Sequence, residues 1–112
     1  MTLFDERERA FENLFAHEEG LRFRALVRRN QLLGRWAAEQ LGLRGSACQA
    51  YVRSFVEGAV RSEPDEALIE RVRWDLAACD DQVSDERVCS ALVWATTEAT
   101  RQVRTETRAP VT

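Results

Sequence analysis

Between Leu21 and Val103 apolar residues return at three- and four-residue steps, and no stretch shows the strict alternation of a half-buried strand. That period restricts the chain to one fold class, all-α. The whole chain has only five glycines and two prolines, so element boundaries are read from caps and breakers. Internal repeats and low-complexity tracts are absent. The 112 residues make one domain's worth of chain, enough for a single modest core.

The first helix is expected from about Leu21 to Leu41, with Phe23, Leu26, Leu33, Trp36, Ala37 and Leu41 on one broad face and Gly42 as its stop. Ser46 and Gln49 then have the spacing of a capping box for a second helix, which carries Tyr51, Val52, Phe55, Val56 and Ala59. Ser62-Glu63-Pro64-Asp65 ends that helix and opens a third, about Asp65 to Cys79, with Leu68, Ile69, Val72, Leu76 and Cys79 on one side. The polar run Asp80-Asp81-Gln82 breaks the pattern. Ser84, followed by Asp85 and Glu86, suits the start of a long last helix with its seam at Val88, Leu92, Ala95, Ala99 and Val103. Four helices joined by short connections bury their stripes most simply as a compact four-helix bundle. The boundaries are an N-terminal segment at 1–19, a bundle at 20–104 and a frayed C-terminal tail at 105–112.

The first nineteen residues do not belong to that body. On a helical wheel Leu3, Phe4, Ala10, Phe11, Leu14, Phe15 and Leu21 share an arc of about 140°, with Arg7 and Glu18 inside it. Caps at the start are weak, and Gly20 costs about 1 kcal/mol relative to alanine at the junction. Alone in water the helix is marginal, because nucleation costs roughly 4 kcal/mol. Burying Leu3, Phe4, Phe11, Leu14 and Phe15 at about 1.5–3 kcal/mol each returns roughly 8–15 kcal/mol. A partner's groove is therefore able to fold the segment, and so is the chain's own bundle. Charges at Arg7 and Glu18 disfavour a dry internal seam.

Several function classes are disfavoured. No apolar run is long enough to span a bilayer, and the N-terminus lacks the features of a secretory signal, which predicts a cytoplasmic protein without direct membrane insertion. Cys48, Cys79 and Cys89, an odd count without a CxxC pair, suggest neither disulfides nor zinc and are expected as buried free thiols. His17 is the only histidine and has no nucleophile or second ligand near it in sequence, so no catalytic residue, metal or cofactor is expected. Asp80 and Asp81, neighbours in a polar turn, are expected to be solvated and unsuited to acid–base catalysis. The net charge is −3, yet residues 1–19 carry six acids against two arginines and residues 20–44 six arginines against one acid. Arg22, Arg24, Arg28, Arg29 and Arg35 are expected on a solvated helix face; without a phosphate loop or interleaved aromatics, nucleic acid is not an expected partner. Trp36, Trp74 and Trp94 are expected in the core.

The blocks FDERERAFENLFAHEE and LRFRALVRRNQLLGRWAAEQLGL resemble the zeta inhibitor subunit of the F-type ATP synthase of alphaproteobacteria. The likeness is dense over residues 4–43, looser through VSDERV and weak beyond Ala95. Its most specific parts are F-D-x-R-E-x-A-F-E-N-x-F-A-H and R-R-N-x-L-L-G-x-W-A-A-E. The resemblance implies a four-helix bundle preceded by a mobile inhibitory segment that becomes helical as it wedges into a catalytic α/β interface and blocks the rotation accompanying ATP hydrolysis. Carried over position by position, the inhibitory residues are Phe4, Asp5, Arg7, Glu8, Ala10, Phe11, Glu12, Asn13, Phe15, Ala16 and His17. The implied partners are the α, β and central-shaft subunits of the catalytic head. The implied location is cytoplasmic, peripheral to the inner membrane through the synthase, with the free protein monomeric. The chain departs from the family pattern at Arg9 and Leu14, where lysines are usual, and at Gly20, where an acid is usual. Leu14 widens the apolar stripe; Gly20 softens the hinge. The alternative function is a helical adaptor or stability factor that binds another partner through the same segment.

Overall fold

In the computed structural model, which describes residues 19–79 and 84–108, the chain forms α1 (Glu19–Leu41), α2 (Gly45–Val60), α3 (Asp65–Ala77) and α4 (Asp85–Arg108). No strand occurs among the described residues. The all-α four-helix expectation therefore holds.

Local chemistry sets each boundary. α1 stops at Gly42, whose φ of +74° suits glycine; its N–H donates to the Glu39 carbonyl at 3.1 Å and Leu43 N–H to that of Ala38 at 3.0 Å. α2 ends in the same way, with Glu63 N–H on the Gly58 carbonyl at 3.0 Å, but the left-handed position is Ser62, at φ +58°. At the start of α4 the Ser84 hydroxyl oxygen accepts from Arg87 N–H at 3.2 Å, as the Ser84-Asp85-Glu86 run predicts. The Ser46–Gln49 capping box does not form: Arg44 holds the N-cap position without a side-chain bond, and Ser46 lies inside the first turn. α3 also starts without a side-chain cap, on Pro64. α1 begins at Glu19 and runs through Gly20, and α4 continues to Arg108, past the expected tail boundary at 105.

α1 and α4 lie antiparallel. Arg24 Nη2 meets Glu106 Oε2 at 2.9 Å near one end, and Arg87 Nη2 donates to Gln40 Oε1 at 2.6 Å near the other. α2 crosses α1 where Gly34 faces the Phe55 ring. Tyr51 Oη donates to Asp75 Oδ2 at 2.7 Å and Arg71 Nη2 to Ser54 Oγ at 2.6 Å, tying α3 to α2.

The main core joins Leu32, Leu33, Ala37, Phe55, Leu68, Val72 and Leu76 to the α4 seam. Val88, Leu92, Ala95 and Ala99 of that seam are buried in it, and Val103 packs with Ala25 in a smaller cluster flanked by Leu21 and Leu26. Thr100, also buried, satisfies its hydroxyl by donating to the Thr96 carbonyl at 2.8 Å.

Burial corrects several expectations. Phe23 is 47%, Trp94 49% and Trp74 78% exposed, so of the three tryptophans only Trp36 packs against the core. Trp74 stands opposite the Leu68–Val72–Leu76 stripe of α3 and Trp94 opposite the α4 seam, directions that no other helix among the described residues covers. The thiols are not uniformly buried: Cys79 is exposed just past α3, and Cys48 and Cys89 are half-buried. Burial, followed by the charge of Asp85, pushes the Cys89 thiol above its ordinary pKa and keeps it protonated at neutral pH.

Candidate functional site

The residues expected to be inhibitory, Phe4, Asp5, Arg7, Glu8, Ala10, Phe11, Glu12, Asn13, Phe15, Ala16 and His17, lie outside the described residues, as do Asp80 and Asp81. What the structure describes is the part of the bundle that follows residues 1–18 in the chain. That part is the first three turns of α1, held by the last turns of α4.

Two layers hold it. The inner layer is apolar, with Ala25 and Val103 in contact and Leu21 and Leu26 beside them. The outer layer is a charged clasp: Glu106 accepts from Arg24 at 2.9 Å and from Arg28 at 2.8 Å, while Arg28 Nη1 also donates to Gln102 Oε1 at 2.7 Å. The arginines of α1 are thus not simply a solvated face. Arg29 departs furthest from that expectation, being 4% exposed, with Nη2 at 2.8 Å from Asp65 Oδ1 and Nε and Nη2 both donating to Asn30 Oδ1 at 3.1 Å. Asn30 Nδ2 donates in turn to the Phe55 carbonyl at 3.0 Å, so one buried polar chain links α1, α2 and the first residue of α3.

The sequence reading missed this chain, although a signal for it existed. On the α1 wheel Arg29 falls between Ala25 and Leu32 or Leu33, at the centre of the apolar stripe, where a charge requires a buried partner. The partner's identity has no local signature, because Asp65 lies 36 residues along the chain.

The electrostatics of the clasp imply acid sensitivity. The hydrogen bond from Arg28 comes first in holding the Glu106 carboxyl below its ordinary pKa, and hydrogen bonds from Arg101 and then Gln102 lower Glu98 to about 2. A carboxyl depressed on folding stabilises the native state above its unfolded pKa, near about 4.3, and that contribution disappears as pH falls through the folded value. The thermal midpoint is expected to fall modestly between about pH 5 and pH 2, since both groups are solvated. Glu106→Gln is expected to flatten the fall, and an unchanged slope in a pH series of melting curves contradicts the assignment. Tyr51 is shifted upward, first by burial and then by its hydrogen bond to Asp75, and stays a neutral donor.

Among the described residues no group of three or more His, Cys, Asp or Glu side chains is placed to hold a metal ion, and no helix is long and apolar enough to cross a membrane. Among the described residues the arrangement offers apolar contact and paired charge. Compared with known protein families, the chain matches the model described as ATPase inhibitor subunit zeta over residues 1–102. No curated protein and no solved structure matches it.

Proposed function

Since the chain belongs to the ATPase inhibitor subunit zeta family, we propose that it inhibits ATP hydrolysis by an F-type ATP synthase, with residues 1–19 entering a catalytic α/β interface as a helix and blocking rotation. The partners are the α, β and central-shaft subunits of the head. The complex places the protein on the cytoplasmic side of the inner membrane without inserting it.

The observation that carries this reading is where α4 ends. Val103 lies against Ala25 and Glu106 against Arg24, so in an antiparallel pair Arg108 comes level with the first turn of α1. A helix continuing α1 toward the N-terminus projects beyond every described element of the bundle. At 100° per residue it carries Phe4, Phe11, Leu14 and Phe15 on the line of Ala25, Leu32 and Leu33, in register with the core stripe. Inside the bundle α4 covers that stripe; beyond Glu19 a second protein covers it. The match to the family spans residues 1–18 as well as the bundle, which supports assigning the ridge to the inhibitory role.

The test is an ATP hydrolysis assay on purified synthase heads. The full chain is expected to inhibit, and a chain starting at Glu19 is expected to fold cooperatively and leave hydrolysis unchanged. Within the full chain, truncating a phenyl that fills a pocket costs roughly 2 kcal/mol or more. Phe11→Ala with Phe15→Ala should therefore raise the half-inhibitory concentration by about a thousandfold. Hydrolysis unaffected by the full chain removes the inhibitor reading and leaves the helical adaptor in its place.

A further inference from the structure

The side of the bundle away from the Arg29–Asp65 pair carries a groove between α1 and α2. Its floor is Val52 and Val56, half-buried and with no helix above them among the described residues, and its volume is about 350 Å³. Gln31 and Arg35 form one wall, Cys48 and Arg53 the other. Arg35 and Arg53 are both exposed, and among the described residues neither has an ion-pair or hydrogen-bond partner, whereas Arg24, Arg28, Arg61, Arg71, Arg73 and Arg101 are all paired. An apolar floor between two unpaired cations suits a segment that alternates large apolar groups with carboxylates.

We propose that in the free protein this groove is occupied by the chain's own residues 3–8, with Leu3 and Phe4 over Val52 and Val56 and the carboxylates of Asp5, Glu6 and Glu8 against Arg35 and Arg53. Reach and charge select this occupant. The groove begins at Gln31, roughly 18 Å along α1 from Glu19, and extends to Arg35 at roughly 24 Å, at 1.5 Å per residue. Fourteen residues separate Phe4 from Glu18, about 21 Å if all are helical and more where the chain is extended, so a segment that turns back over a few residues next to Glu19 and is partly extended still brings Phe4 level with the groove. Residues 1–19 carry six acids against two arginines, opposite in sign to the groove walls.

The consequence depends on the inhibitory reading; the contact does not. A ridge that must leave its own groove before entering another protein binds more weakly by the fraction of molecules in which it is free. The groove thus sets how readily the inhibitor engages.

Cys48, in the groove wall, reports on occupancy directly, and exposed Cys79 is an internal control. In the full chain, Leu3→Asp with Phe4→Asp is expected to speed alkylation of Cys48 by neutral iodoacetamide by about threefold or more, with Cys79 unchanged, as followed by peptide mass spectrometry. Equal Cys48 rates in the two proteins overturn the proposal. The amide resonances of Val52 and Val56 are expected to shift between the same two proteins, and coincident resonances overturn it too. Exposed pairs contribute little individually, so Arg35→Gln with Arg53→Gln is expected to lower the half-inhibitory concentration only about threefold, and weaker inhibition contradicts the self-contact. Synthase heads that ignore the protein remove the inhibitory reading, while the alkylation and resonance results still decide whether the groove is filled.

Discussion

An Asp65→Ala variant is expected to lose about 3–5 kcal/mol of stability, the cost of leaving one member of a buried ion pair without its partner. Arg29 remains almost fully covered, and among the described residues Asn30 is the only other acceptor bonded to it. The substitution also removes a carboxylate from the first turn of α3, where it favours the helix dipole. For a domain near 100 residues each kcal/mol moves the thermal midpoint by about 4–8 °C, so a drop of more than about 12 °C is expected. The pair is costly to break, which does not make it the most stable solution at that place. Replacing both members by apolar residues, Arg29→Met with Asp65→Leu, is expected to restore most of the loss. Urea titrations of the single and double variants decide the matter: an Asp65→Ala loss below about 1 kcal/mol would show that Arg29 finds water or another acceptor.

Phe55→Ala is expected to cost a similar amount, about 3–5 kcal/mol, through a different cause. The ring is fully buried at the crossing of α1 and α2. It packs on the Cα of Gly34, lies 5.1 Å from the Tyr51 ring centroid at a 48° tilt, and carries the Arg71 guanidinium 4.3 Å above its own centroid. Truncation therefore removes transfer energy, an aromatic pair and a cation–π contact together, and leaves a cavity between helices that α3 and α4 hold in place. The glycine opposite supplies a further test. A Cβ at Gly34 comes within 3.1 Å of Phe55 Cγ, so with the ring present Gly34→Ala requires the ring or the helices to give by a few tenths of an ångström. With Phe55 already cut to alanine the contacts to Cγ at 3.1 Å and Cδ1 at 3.3 Å are gone and only the one to Cβ at 3.2 Å remains, so Gly34→Ala is expected to cost less there, with the better helix propensity of alanine offsetting it by up to about 1 kcal/mol. Additive effects in that double-mutant cycle would mean the two residues do not share the contact.

These two sites also mark where sequence reading succeeds and where it stops. Phe55 falls on the apolar stripe of α2, and its burial is readable from spacing. Arg29 sits as centrally on the stripe of α1, and its residue type outweighed its position. Trp74 and Trp94 are the mirror image: both lie opposite their helix's stripe, and the expectation that tryptophan is buried outweighed the wheel. Phe23 errs in the same way. In all four cases angular position was the better guide, because a helix buries the arc that faces its neighbours whatever residue stands there.

The groove was legible only in part. Val52 and Val56 were placed with the apolar residues of α2, but nothing local indicated that no helix would pass over them. The acidic ridge of residues 1–19, and the resemblance it carries, were fully visible.

The helical class, the stops at Gly42 and after Val60, the Ser84 start and the α4 seam were decided by the sequence alone. Periodicity and capping are interactions over three or four residues, complete before any helix meets another. Which arginine is buried, which aromatic ring is left in water and which pair of valines lies uncovered were decided by the tertiary structure. Those outcomes depend on which helix crosses which and at what level, and the groups that set the crossing, Asp65 for Arg29 and Gly34 for Phe55, come from distant parts of the chain.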